Sequence, residues 1–183
     1  RLEGITITTL ANIRSALLKT SLAVAVSMGG AGAGWAAQPE GTIAVANISL
    51  AQANKVIEGA VAYAVSQKVA ISVVVVDTSG YVVAAARMDG VPFGSFDVAR
   101  GKAIASAATG GVSGKELLER FKANSVVFGQ ISSLSYGGPM FPAQGSLPIF
   151  KDGVYIGSVG ASAASSQMDE DAGRAGIRAL GAS

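Results

Sequence analysis

The run from Ile71 to Val76, with four consecutive valines, constrains this chain more than any other feature. It shows neither a helical period nor the alternation of a half-solvated strand, so it reads as a strand buried on both faces. Asp77-Thr78-Ser79-Gly80 follows as a turn, and Tyr81 to Arg87 returns as a second strand, which closes a hairpin.

The other segments surround that hairpin with helices. Ser49 and Gln52 form a capping-box pattern at the head of a helix from Ser49 to Lys68, where Leu50, Ala53, Ile57, Ala60, Val61 and Ala64 share a face. After a break at Pro92–Gly94, Phe96 to Thr109 reads as an alanine-rich helix whose small side chains allow close approach to a sheet or a second subunit. Ser113 and Glu116 cap a short helix over Gly114–Ala123, and Ile131 to Ser146 reads as a long loop. Leu147–Phe150 and Val154–Ala161 make a second hairpin around Lys151-Asp152-Gly153. A helix from Ser166 to Leu180 ends the chain, with Asp169, Glu170 and Asp171 at the positive end of its dipole. Hairpin, helices, hairpin, helix implies one α+β domain with an antiparallel sheet, with no internal repeat.

Composition removes several function classes. The chain has 183 residues, half of them hydrophobic and 14% charged, enough to bury a core. Without cysteine there is no disulfide, thiolate zinc site or cysteine nucleophile; without histidine there is no imidazole-based triad, metal site or axial haem ligand. Arg14 and Lys19 precede an apolar run, Thr20–Met28, and a small-residue stretch, Gly29–Gly34, the order of a secretory signal peptide with cleavage expected after Ala36. The alternative is an N-terminal helix from Ile13 to Met28, and the apolar run is too short for a stable membrane span. Arg1, Arg14 and Lys19 against Glu3 account for the whole net charge of +2, so residues 37–183 are neutral and unsuited to nucleic acid.

Several motifs, in this order, carry a resemblance. They are Val73-Val74-Val75-Val76-Asp77-Thr78-Ser79-Gly80, Arg87-Met88-Asp89-Gly90 and Phe96-Asp97-Val98-Ala99-Arg100-Gly101-Lys102-Ala103. Gly145-Ser146-Leu147-Pro148-Ile149, Ile156-Gly157-Ser158-Val159-Gly160-Ala161-Ser162 and Gln167-Met168-Asp169-Glu170-Asp171-Ala172 complete the set. Over residues 45–180 the chain resembles the GlcG/HbpS family, which is similar in turn to the C-terminal domain of PduO-type proteins. The resemblance implies a five-stranded antiparallel sheet flanked by helices, a three-layer α-β-α, profilin-like arrangement. It further implies assembly from dimers up to octamers and haem as the ligand of some members. Two positions depart from the pattern: Ala105 stands where a threonine is common, and Ser146 where a glycine is. If an alcohol ligates haem iron in relatives, Ser106 or Thr109 would have to take that role here.

The candidate ligand-binding residues are Arg87, Met88, Lys102, Ser106, Thr109 and Pro148. The Arg87 fork suits a carboxylate or haem propionate, or else pairs with Asp77 or Asp89. Lys102, in an apolar helix, would bind an anion or pack structurally; in an enzyme it would serve as acid or base, paired with Asp97 or Asp169. The acidic trio suits the helix dipole better than a hard cation, and no metal site is assigned. Gly110-Gly111-Val112-Ser113-Gly114-Lys115-Glu116 is one residue short of a phosphate loop and follows no strand. Ser132, Ser133, Ser135, Tyr136, Met140 and Phe141 in the long loop would line a pocket or form an assembly arm. The leading expectation is an exported, non-catalytic binder of haem or a related planar carboxylate, located in the periplasm or secreted. The alternatives are a lyase or isomerase acting on a small organic acid or aromatic, and a structural or sensory homo-oligomer.

Overall fold

Ser49 opens the first helix by the expected reciprocal cap: its hydroxyl accepts from Gln52 N–H at 3.3 Å, and the Gln52 side chain accepts from Ser49 N–H at 2.9 Å. In the computed structural model, residues 41–134 and 138–183 are described. Ala44–Ser183 form one compact unit. The expected leader, residues 1–36, lies outside the described residues, as do Ser135, Tyr136 and Gly137.

The elements are α1 (Leu50–Ser66), β1 (Ser72–Val76), β2 (Val82–Arg87), α2 (Gly94–Ala108), α3 (Gly114–Ala123), α4 (Ser125–Ser133), β3 (Ser146–Lys151), β4 (Val154–Ser162) and α5 (Ser166–Ala179). The strands pair antiparallel in the order β2-β1-β4-β3. β1 is central and fully buried, as its composition demands. Val73 and Val75 pack with α1 and α5 on one face, and Val74 and Val76 with α2 on the other, so the sheet lies between two helical layers.

The sheet has four strands among the described residues, where five were expected. Between α4 and β3 the chain carries Pro139 and Pro142, which lack ladder donors. That stretch is tied to a helix instead, Phe141 N–H donating to Gly101 O at 2.9 Å. Part of the predicted long loop is the end of α4, and α2 begins two residues earlier than its pattern suggested. The α2 start has no side-chain N-cap bond; the Ser95 hydroxyl donates to Pro92 O at 2.7 Å and Asp97 lies in the first turn.

α2 is buried over most of its circumference, and small residues make this possible. A Cβ at Gly160 of β4 would overlap the Ala99 carbonyl oxygen and lie 2.7 Å from Ala103 N. At Gly101 it would come within 2.9 Å of Phe141 Cβ. The α1–α5 contact is equally close, because a Cβ at Gly176 would overlap the Val56 carbonyl oxygen.

Candidate functional site

Lys102 does not reach solvent. It is 4% exposed, and its ammonium donates to Asp169 Oδ2 and to Ala161 O, each at 2.9 Å. Asp169 Oδ1 accepts from Ala164 N–H at 3.2 Å, so the pair joins α2, the end of β4 and the first turn of α5. Gly145 covers it: a Cβ there would lie 2.8 Å from Lys102 Nζ. Of the two carboxylates considered for Lys102, the structure supplies Asp169. Asp97 is exposed and meets Arg100 at 3.5 Å. The acidic trio diverges: Asp169 takes Lys102, Glu170 takes Arg174 at 2.9 Å, and Asp171 accepts from Gln167 at 3.1 Å.

Ser106, Thr109 and Pro148 come together at the C-terminal end of α2. The Ser158 hydroxyl donates to Ser106 Oγ at 3.0 Å and exchanges a hydrogen bond with the Tyr155 phenol at 2.9 Å. Pro148 is the register partner of Ser158. Burial raises the Tyr155 pKa above its ordinary value; the Ser158 bond opposes this and the charge of Asp77 adds to it. Ser106 is fully buried, and the Thr109 hydroxyl donates to Ala105 O at 2.8 Å and Ser106 O at 3.1 Å. Ala105 has no exposed surface and packs in the cluster that holds Leu117 and Met140.

Arg87 and Met88 lie at the opposite edge of the sheet. The Arg87 guanidinium donates to Val91 O at 2.9 Å, and no carboxylate lies within ion-pair distance of it among the described residues. Met88 Sδ accepts from Ile71 N–H at 3.4 Å while its side chain packs on the core. The structure therefore divides the six candidates into three at the α2 end, two at the β2 edge and one buried in an ion pair.

A concavity lies along the edge strand β3 and the C-terminal half of α5. It is an open groove of about 400 Å³ with Leu147, Pro148, Phe150 and Ile177 as apolar walls and Arg174 and Arg178 on α5. Of the sequence candidates among the described residues, only Pro148 lines it. The chain beyond α5 closes one end, where Phe150 and Ser183 exchange backbone hydrogen bonds and Lys151 Nζ donates to Gly181 O at 2.9 Å. Arg174 is held by the nearly buried Glu170, whose second oxygen has no partner among the described residues. Arg178, in the last turn of α5, is exposed and meets no carboxylate among the described residues. A flat apolar body with carboxylates fits this lining, with its face on proline and phenylalanine and its charges toward the arginines. The two arginines escaped the sequence reading. Their i, i+4 spacing behind Glu170 was the available signal, and it is also the pattern of an ordinary solvated helix face.

A second, almost wholly apolar groove of about 360 Å³ lies between α3 and the segment before β3. It is lined by Leu118, Phe121, Ser132, Met140, Phe141, Pro142 and Ala143.

Fold and grooves define a single α+β domain with a cation-rimmed cleft at a sheet edge. The profile of the family described as haem degrading protein HbpS-like matches residues 48–178, and the chain belongs to that family. Among solved structures, protein ORFY of Klebsiella pneumoniae is similar with a TM-score of 0.69 at 22% identity, over 79% of this chain and 97% of that one. A PduOC–heme complex gives 0.65 at 25% identity, over 75% and 97%. The HbpS double mutant from Streptomyces reticuli gives 0.67 at 25% identity, over 81% and 97%. No curated protein sequence matches.

Proposed function

We propose that this chain is an exported, non-catalytic protein that holds haem or a related planar carboxylate in the groove between β3 and α5. The observation that carries the reading is the pairing of apolar walls with Arg174 and Arg178 in one cleft. Membership of the HbpS-like family and likeness to a haem complex support haem as the ligand class. The basic, apolar and small-residue order of residues 14–36 supports export to the periplasm or beyond. Exposed Phe93, Val126 and Val127, the last two on a helix with no buried residue, support homo-oligomeric assembly. In this reading Lys102, Ser106 and Thr109 hold the fold, Arg87 and Met88 belong to the far edge of the sheet, and Pro148 touches the ligand.

A titration with hemin followed in the Soret band tests the proposal. The expected result is a saturable one-to-one complex that weakens when Arg174 and Arg178 are both changed to Glu. A non-saturating change, or one indifferent to both substitutions, would overturn it.

A further inference from the structure

The residues that suit a porphyrin's faces and carboxylates are not residues that would hold its metal. Protein ligands of haem iron are ordinarily imidazole, thiolate, thioether or phenolate. The chain contains no histidine and no cysteine. Among the described residues, Met88, Met140, Met168, Tyr63, Tyr81 and Tyr155 all lie outside the groove lining. Met88 Sδ and the Tyr155 hydroxyl are already engaged in hydrogen bonds, and Met140 is 5% exposed. The alcohols fare no better. Position 105 is a fully buried alanine, Ser106 is buried in a bond with Ser158, and Thr109 donates to two backbone carbonyls. The groove offers one hydroxyl, that of Ser183, and a neutral alcohol is a weak ligand beside two guanidinium groups.

We infer that the groove recognises its ligand by flat apolar faces and edge carboxylates and is indifferent to the metal at the centre, so that a metal-free porphyrin dicarboxylate is held as tightly as haem. This rests on the reading that the groove takes a planar carboxylate. It goes further by naming what discriminates among such ligands. Arg178, exposed and without a carboxylate partner among the described residues, provides the cation that a ligand carboxylate meets without competition; Arg174 must share itself with Glu170.

The test is a parallel fluorescence and absorbance titration of the full chain with hemin, metal-free protoporphyrin IX and protoporphyrin IX dimethyl ester. Dissociation constants for hemin and the metal-free diacid should agree within about threefold, while the ester, stripped of both charges, should bind about tenfold more weakly or worse. Arg178→Glu should weaken hemin and the metal-free diacid by the same factor, about tenfold, with Arg178→Gln intermediate and both variants retaining the wild-type melting temperature. Hemin binding ten times tighter than the metal-free diacid would overturn the inference alone, because iron would then be coordinated. Failure of both diacids to bind would overturn the functional proposal and this inference together.

Discussion

Lys102 illustrates how one side chain's role depends on a partner far away in sequence. Its carboxylate is Asp169, on another helix, and both groups are withdrawn from water. Removing one member of a buried pair strands the other charge, at a cost of about 3–5 kcal/mol. Lys102→Ala and Asp169→Ala should each lower the urea unfolding midpoint by that equivalent, whereas Lys102→Met with Asp169→Leu should recover much of the loss. Equal small effects from either single change would show the pair to be solvated. Ser146, where the resemblance leads one to expect glycine, also acts at this scale. Ser146 carries a buried hydroxyl with no hydrogen-bond partner among the described residues, and it sits against Gly114, where any side chain would collide with it. Ser146→Ala should therefore be neutral or stabilising by about 1 kcal/mol in chemical denaturation. Lysine in an apolar helix was legible as unusual from sequence, with Asp97 or Asp169 as its partner. The choice between them was not, because helix spacing alone does not show which face of α2 meets α5.

At the scale of elements, the valine run, the capping box and the Asp-Gly turn were sufficient to place β1, α1 and the second hairpin. Asp152 and Gly153 occupy the left-handed region at φ 52° and 78°, as that turn requires. The fifth strand was expected from the resemblance alone; the residues themselves read as two hairpins, and the loop before β3 is tied to α2 through Phe141 rather than to the sheet. The helix α4 carries no charge and buries no residue, so its sequence offered no amphipathic stripe to read. Close approach between elements was legible only in outline, as a wealth of alanine and glycine. Its consequence is sharp at Gly160, where a methyl group would push β4 away from the α2 backbone. Gly160→Ala should cost about 3 kcal/mol, read as a lowered melting temperature; an unchanged melting temperature would mean that α2 can move away at no cost.

For the molecule as a whole, Tyr155 makes stability depend on pH on the alkaline side. Its raised folded-state pKa means that the folded chain holds this proton more tightly than the unfolded chain does. The associated stability is complete below about pH 10, the ordinary tyrosine value, and is lost as pH rises through the folded value. Urea midpoints measured across that range should fall less steeply in Tyr155→Phe than in the wild type, and parallel slopes would remove Tyr155 as the cause. The groove proposed to take the ligand also belongs to this scale, since it exists only once the edge strand β3, the end of α5 and the residues after it are brought together. Sequence reading reached Pro148 on one wall but not the arginines on the other, because side chains 26 and 30 positions further along become neighbours only through the fold. The most direct test uses the paramagnetism of hemin to locate its site in an amide correlation spectrum. The account predicts that line broadening centres on residues 147–150 and 174–178, with α3 and the β2 edge unaffected; broadening centred on Arg87 and Met88, or on Met140–Ala143, would contradict it.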